Sequence, residues 1–252
     1  MTTSPIFRRI VALQENRPWG SFLDAGTGLH SLQWVASLQT ESWTAVTGAG
    51  SMATQVRRVM RARMRPQDRI VEGNWSDPAL LAGETYDTVL ADYLLGALDG
   101  FTPYGQYELF QRLRPLVGGR LYVVGLEPYV PYFPQDPAGR IICELGRVRD
   151  ACLLLAGERP YREYPMEWTL KQMRQAGLRI IDTKQFPIRY GRRYIDSQIR
   201  MCEMRLARFH DRTVAAAMKT HLAALEERAC RLHDELGGLR HGFDYLIAAE
   251  PG

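Results

Sequence analysis

Asp24 and the two glycines that follow it are the residues of this 252-residue chain whose types and spacing most suggest chemistry. They stand in FLDAGTGLHS, Phe22–Ser31, where a short apolar run ends in a carboxylate and the chain turns through Gly26 and Gly28. Glycine lets the backbone bend sharply and approach a ligand closely, because no Cβ is in the way. The stretch predicts a cofactor-binding turn. A strand-to-helix turn that needs glycine for its geometry alone is the competing interpretation.

The elements that must position this turn follow a regular alternation of apolar runs and amphipathic stretches. The apolar runs are SFLDAG, WTAVTG, RIVEGN, YDTVLADYLL and GGRLYVVGLEP. Such alternation predicts βαβ crossovers and a parallel sheet. Beyond Pro128 the pattern predicts a helix opened by Asp136, a sixth strand and a long helical stretch. The apolar phase of that stretch slips near His210–Thr213, which indicates two helices or a kink, and GFDYLIAAEP forms a last strand.

FLDAGTG resembles motif I of class I S-adenosylmethionine-dependent methyltransferases, which reads hydrophobic, hydrophobic, Asp or Glu, any residue, Gly, any residue, Gly. QRLRPLVGGRLYVVG is similar to the family's helix, Gly-Gly turn and fifth strand, and GFDYLIAAEP to its closing strand. The resemblance implies an α/β, Rossmann-like, doubly wound, mostly parallel seven-stranded sheet with an antiparallel last strand. It also implies one domain over 1–252, with a substrate-side insertion at 129–165 and a helical insertion at 193–237.

The resemblance implies S-adenosyl-L-methionine as the cofactor and assigns residues to it. The family usually ends its second strand in an acid that binds the ribose hydroxyls, but this chain has Thr47 or Gly48 there, and Asn74 and Trp75 follow the third strand. A hydroxyl cannot make the charge-assisted pair of bonds that a carboxylate makes, whereas an amide can accept from adenine and an indole can stack on it. The implied cofactor-binding set is Asp24, Gly26, Thr27, Gly28, Thr47, Gly48, Asn74, Trp75 and Asp92.

Candidate catalytic groups stand where the fourth and fifth strands end, the edge at which parallel sheets bind ligands. Asp92 or Glu127 is predicted as a general base and Tyr93 as a residue that orients the nucleophile, with ordinary cap or loop hydrogen bonds as the competing interpretation. His30 follows the glycine turn, where it would donate to the methionine carboxylate or act as a base, unless it only packs at a helix start.

Tyr129, Tyr132 and Tyr161 are predicted to line an acceptor site, because aromatic surfaces with hydroxyl tips suit a small, partly apolar molecule; core packing competes for each. The histidines show no metal-ligand spacing, so no metal is expected. Four cysteines without CxxC spacing predict reduced, mostly buried thiols and a cytoplasmic protein. No apolar run approaches the roughly 20 residues that span a bilayer, so no membrane partner is expected.

These features predict a methyltransferase that acts on a small-molecule thiol, hydroxyl, amine or carboxylate. Because the second strand does not end in an acid that would bind the ribose, other S-adenosylmethionine chemistry stays open, namely cyclisation or aminocarboxypropyl transfer. A non-catalytic partner subunit of the same fold is a further alternative. A net charge of +4 does not demand a nucleic acid partner, although Arg57–Arg65 and Arg189–Arg208 keep an RNA substrate as an alternative. The helical C-terminal segment is a candidate homodimer surface.

Overall fold

A computed structural model describes residues 4–252 of the chain. The strands and helices alternate from the first strand to the fifth, in the order that the apolar runs predict. The strands are Ser21–Asp24 (β1), Ser42–Thr47 (β2), Arg69–Glu72 (β3), Tyr86–Asp92 (β4), Val117–Leu126 (β5), Leu178–Tyr190 (β6) and Leu239–Pro251 (β7).

The helices begin and end at sequence positions that favour helix termini. Ser4 accepts a hydrogen bond from the backbone N–H of Ile6 before the first helix, and Asp136 does the same for Gly139 before the sixth, each followed by a proline in the first helical position. The helices are Pro5–Gln14 (α1), Leu29–Val35 (α2), Gly50–Met60 (α3), Leu94–Ala97 (α4), Gln106–Leu113 (α5), Pro137–Leu155 (α6), Met166–Gln175 (α7), Arg192–Leu206 (α8) and Arg212–Leu236 (α9).

The seven strands form one sheet in the order β3-β2-β1-β4-β5-β7-β6, with β7 antiparallel. The strands from β1 to β5 pair in parallel, so that Phe22 is opposite Trp43 on one side and Thr88 on the other. The chain leaves β1 towards β2 and later returns to place β4 on the opposite side of β1. This arrangement confirms the predicted Rossmann-like sheet, and it creates a change of winding direction at β1, where α/β proteins bind ligands.

Two compact units make up the chain. The first contains residues 4–126, 162–186 and 245–252, and the second contains 127–161 and 187–244. In the first unit Phe22 and Leu23 enter two different buried clusters, as alternate residues of a strand covered on both faces do. The second unit holds α6, α8 and α9, and therefore most of the predicted insertion 129–165 and all of 193–237.

The end of β4 and the break between α8 and α9 are each determined by the conformation of individual residues. The fourth apolar run continues to Leu95 in the sequence, but the strand ends at Asp92 because Tyr93 takes a left-handed conformation, φ 49°, and turns the chain into α4. The predicted slip near His210–Thr213 is a true break. α8 ends at Leu206, and Asp211 starts α9 by accepting hydrogen bonds from the backbone N–H groups of Thr213 and Val214.

Candidate functional site

The turn after β1 is held by backbone hydrogen bonds to both neighbouring strands. The N–H of Ala25 donates to Leu90 O at 2.8 Å, and the N–H of Thr27 donates to Val46 O at 2.7 Å. The indole N–H of Trp75 donates to Ala25 O at 2.8 Å. The glycine turn is therefore fixed at the carboxyl edge of the sheet, at the change of winding direction.

Asp24 ends β1 with a carboxylate that no solvent reaches. Its Oδ2 accepts a hydrogen bond from Ser31 Oγ at 2.8 Å, and the same hydroxyl oxygen accepts from the backbone N–H of Gly28 at 3.1 Å. Ser31 thus joins the buried carboxylate to the second glycine of the turn. This explains the serine that stands where a dinucleotide-binding turn has its third glycine.

The other oxygen of the same carboxylate is unusual. Within residues 4–252, Asp24 Oδ1 is buried and accepts no hydrogen bond of ordinary geometry. Burial raises the pKa of Asp24 to about 6 from its ordinary value of 3.8, although the Ser31 and Thr27 hydroxyls and the nearby N–H of Gly26 oppose the rise. An unpartnered buried acceptor destabilises the fold unless something donates to it. The atom is suited to accept from a cationic ligand group.

The two glycines of the turn have different surroundings. A Cβ on Gly26 would lie 2.9 Å from Leu94 Cβ, so the chain at Gly26 packs directly on α4 and only glycine fits. A Cβ on Gly28 would meet no atom of residues 4–252 within 4 Å. The space beside Gly28 is therefore open, as a ligand-binding turn requires.

The end of β2 has Thr47 and Gly48 where the resemblance implies an acid. Thr47 is buried, and its Oγ1 accepts from the N–H of Ala49 at 3.3 Å; Gly48 lies against the exposed Phe101 ring. Thr47 pairs in register with Glu72, the last residue of β3. A Cβ built on Gly50 would lie 2.8 Å from Glu72 Oε1, so a carboxylate stands beside the start of α3, one strand away from its expected place.

Asn74 and Trp75 follow β3 and make contacts within the protein. Asn74 Nδ2 donates to Phe101 O at 3.0 Å, and its Oδ1 accepts from Thr102 Oγ1 and from the N–H of Ser76. Trp75 is buried beneath the glycine turn. Both residues hold the walls of the site, and their predicted contacts with adenine stay predictions.

Asp92 and Tyr93 end β4 next to the glycine turn, because the following residue, Leu94, packs on Gly26. Both are half-buried. Tyr93 keeps its left-handed backbone while its N–H donates to Val124 O at 3.0 Å. Strained backbone of this kind concentrates at functional sites. Their catalytic roles stay predictions.

His30 is exposed in the first turn of α2, and its ring centroid lies 5.4 Å from that of Phe7 in α1. The structure therefore places it in contact with an aromatic ring beside the turn, and its predicted function stays a prediction. Among residues 4–252, no group of His, Cys, Asp and Glu side chains is arranged to hold a metal ion, and no helix is long and apolar enough to cross a membrane.

Comparison with models of protein families and with curated proteins finds no match. Solved structures match over almost the whole chain. A Bacillus halodurans protein, provisionally assigned as a methyltransferase, is 13% identical, with 99% of this chain and 100% of that chain covered and a TM-score of 0.64. The [4+2]-cyclase SpnF is 16% identical, with 97% and 80% covered and a TM-score of 0.56.

The mycolic acid cyclopropane synthase CmaA1, whose structure contains SAH, is 13% identical, with 97% and 82% covered and a TM-score of 0.55. At such identities the likeness shows a shared fold. This chain has the class I methyltransferase fold. The fold expectation from FLDAGTG and the order of the strands is therefore confirmed.

Within the methyltransferase fold, the remaining candidates lie in the second unit. The N–H of Glu127 donates to Phe243 O at 2.9 Å. Tyr129 is buried, with its hydroxyl 3.0 Å from that of Tyr194, whereas Tyr132 and Tyr161 are 57% and 59% exposed. The predicted roles of these residues in acceptor binding and of Glu127 as a base stay predictions.

Two residues of the candidate site were not identified from the sequence. Ser31 is one, although a serine three residues into a helix start is a residue type that bonds back to the turn. Glu72 closes the third apolar run and was overlooked because the family places its acid on the second strand. Only the register between β2 and β3 brings the carboxylate to the right edge.

Proposed function

We propose that this protein is an S-adenosylmethionine-dependent methyltransferase that acts on a small-molecule nucleophile. The observation that carries the proposal is the buried Oδ1 of Asp24, which has no hydrogen-bond partner among residues 4–252 and lies behind a glycine turn at the point where the sheet changes winding direction. An ammonium group is the natural partner for such an oxygen, because a charge-assisted hydrogen bond relieves the cost of burying the carboxylate.

The residues at the carboxyl edge of the first unit fit the parts of this cofactor. Asp24 would hold the amino group of the methionine moiety, directly or through water, and the open space beside Gly28 would admit the ligand backbone. Glu72 would accept from the ribose hydroxyls in place of the acid absent from β2, since its carboxylate stands beside Gly50 and in register with Thr47. Thr47 and Gly48 would then line the ribose rather than bind it with charge.

The cofactor supplies an electrophilic methyl group on a sulfonium, and methyl transfer is an in-line displacement. The protein's part is alignment and exclusion of water. Asp92, at the end of β4, would take the proton of a hydroxyl or ammonium acceptor, while the left-handed backbone at Tyr93 fixes the direction of the tyrosine side chain beside it. A thiolate acceptor would need no base.

Calorimetry with S-adenosylmethionine and S-adenosylhomocysteine tests the cofactor half of the proposal. We expect both to bind, and absence of binding at ligand concentrations of about a millimolar would refute the proposal. Mass spectrometry of incubations with thiols, amines, phenols and carboxylates then tests the reaction. A product heavier by one methylene group supports methyl transfer.

A second reaction of the same cofactor is favoured by one observation, the absence of an acid from the end of β2, because it indicates a cofactor seated differently from the usual methyltransferase arrangement. Two proteins of similar fold bear names that denote ring-forming reactions, a [4+2]-cyclase and a cyclopropane synthase. In the same incubations, methylthioadenosine without a methylated acceptor would indicate instead that the cofactor's own aminocarboxypropyl group had cyclised or had been transferred.

A further inference from the structure

Two cysteines from different helices meet inside the second unit. Cys152 is on α6 and Cys202 on α8, and both are buried, with 0% and 2% exposed. The Cys152 and Cys202 side chains are in hydrogen-bond contact. A disulfide brings two sulfur atoms to a bond length of about 2.05 Å, and side chains already in contact are the starting point for it.

The register of the two helices is fixed on both sides of this pair. One turn earlier, Arg149 Nη1 of α6 donates to Gln198 Oε1 of α8 at 3.5 Å. One turn later, Arg205 of α8 donates to Glu158 Oε2 through Nε at 3.1 Å and Nη2 at 2.8 Å. The helices therefore run in the same direction with the cysteines at the same height. The contact between the thiols follows from the packing rather than from one side-chain conformation.

The two thiols are electrically unequal. The hydrogen bond with Cys202 and the positive charge of Arg205 lower the pKa of Cys152 against the effect of burial, whereas the same hydrogen bond and burial raise the pKa of Cys202. Burial raises the pKa of Cys143 and of Cys230. Since the thiolate is the reactive form, Cys152 is the cysteine best prepared for oxidation, and a resolving thiol already touches it.

A small oxidant has room beside the pair. Leu153 and Met201, the chain neighbours of the two cysteines, line a cavity of about 240 Å³ together with Arg205. Hydrogen peroxide is not much larger than water, and one water needs about 10–15 Å³ of such a cavity. The lining residues of this cavity do not include the two cysteines, so the oxidant has to pass from the cavity between side chains of α6 and α8 to reach the sulfur atoms.

We propose that Cys152 and Cys202 form a redox modification site that closes to a disulfide when a peroxide oxidises Cys152. The Cys152 thiolate attacks one peroxide oxygen, the O–O bond breaks, and hydroxide leaves and takes up a proton to become water. Cys152 is then a sulfenic acid. The Cys202 sulfur attacks the Cys152 sulfur, the S–O bond breaks, and the Cys202 thiol proton leaves with the hydroxide as a second water. Two thiols are oxidised and one peroxide is reduced.

Peptide mapping tests the proposal on the full chain, because trypsin places each cysteine on its own peptide. Cys152 falls in 150–162, since cleavage fails before Pro160, and Cys202 falls in 201–205. Cys143 and Cys230 fall in 141–147 and 229–231. After peroxide treatment and alkylation in denaturant, we expect a linked peptide pair, 150–162 with 201–205, two hydrogen masses below the sum. Dithiothreitol should restore both peptides.

Single variants separate the two steps. In Cys202→Ser the disulfide cannot form, and a sulfenic-acid reagent such as dimedone should label Cys152. Cys143→Ser is the matched control in another buried cysteine, and its linked pair should form at the wild-type rate. Full alkylation of Cys152 and Cys202 after peroxide, or a link from either one to Cys143 or Cys230, would overturn the proposal. The result does not depend on whether the protein binds S-adenosylmethionine.

Discussion

Replacing Asp24 by asparagine should make the protein more stable and its cofactor binding weaker. The folded protein raises the pKa of this buried carboxyl to about 6 from 3.8. A raised pKa means that the folded state holds the proton more tightly than the unfolded state. The stabilisation is therefore complete below the unfolded pKa and is lost as the pH rises through about 6. This rise in the pKa of Asp24 corresponds to a loss of about 3 kcal/mol in the free energy of unfolding at neutral and alkaline pH.

The asparagine side chain of the Asp24→Asn variant would be uncharged at every pH, and its amide oxygen can still accept from Ser31 Oγ. At about pH 8 we therefore expect Asp24→Asn to raise the free energy of unfolding by as much as about 3 kcal/mol. At about pH 5 the wild-type carboxyl is mostly protonated, so the advantage of the variant should shrink by about 1.4 kcal/mol. Denaturant unfolding of both proteins at the two pH values measures the difference.

Asp87→Asn is a control of opposite sign. Hydrogen bonds from the hydroxyl and the backbone N–H of Ser21 lower the pKa of Asp87. The stabilisation from this group is present above its unfolded pKa and is lost as the pH falls. Asp87→Asn should therefore destabilise the protein at about pH 8, and the loss should diminish on acidification.

Binding is the second measurement on Asp24→Asn. Loss of the carboxylate should weaken S-adenosylmethionine binding about tenfold to a hundredfold, the worth of a charge-assisted hydrogen bond. Wild-type affinity should fall as the pH drops through about 6, while that of the variant should not. A stability difference independent of pH would refute the raised pKa. Unchanged affinity in the variant would refute the assignment of Asp24 to the ammonium group.

Four further substitutions test the residues around the glycine turn. Ser31→Ala removes the hydroxyl between the carboxylate and the turn, and denaturant unfolding should show a loss of about 1–2 kcal/mol; a loss below about 0.5 kcal/mol would contradict this role. Gly26→Ala should lower the free energy of unfolding by about 1–3 kcal/mol because its Cβ would collide with Leu94. Gly28→Ala should leave the free energy of unfolding unchanged and should weaken cofactor binding. Equal destabilisation by both would contradict the packing difference between the two glycines. Glu72→Gln should weaken S-adenosylhomocysteine binding about tenfold or more, but should not weaken the binding of an analogue without ribose hydroxyls. Equal losses of affinity for both ligands would exclude a contact between Glu72 and the ribose.

The succession of strands along the chain could be predicted from the sequence because the strands are short and apolar and are separated by amphipathic helices. A parallel strand covered on both faces is a continuous apolar run, so β1, β2 and β5 are visible in the letters. The break between α8 and α9 was visible as well, because a change of helical phase and the helix-starting Asp211 are local features.

The parts of the site that could not be predicted depend on contacts between distant residues. Tyr93 continues an apolar run, and its left-handed conformation is fixed by a hydrogen bond to Val124 on β5. Glu72 reaches the site because β2 and β3 pair in one particular register. Cys152 meets Cys202 through helix packing. No periodicity within one element encodes any of these three contacts.

The unfavourable features of the first unit gather at one edge of its sheet. A fully buried carboxylate ends β1, and one of its oxygens has no partner in the described part of the chain, residues 4–252. A tyrosine with a left-handed backbone follows β4, the strand paired directly with β1. Each destabilises the fold by about 1–3 kcal/mol, and asparagine or glycine would remove the penalty at little structural loss. Ser31 donates its hydrogen bond to Oδ2 of this carboxylate and not to Oδ1, so it fixes the carboxylate in place without giving Oδ1 a donor. A ligand cation that donates a hydrogen bond to Oδ1 would offset the destabilisation caused by the buried charge, and the change in S-adenosylmethionine affinity of Asp24→Asn measures the size of that effect.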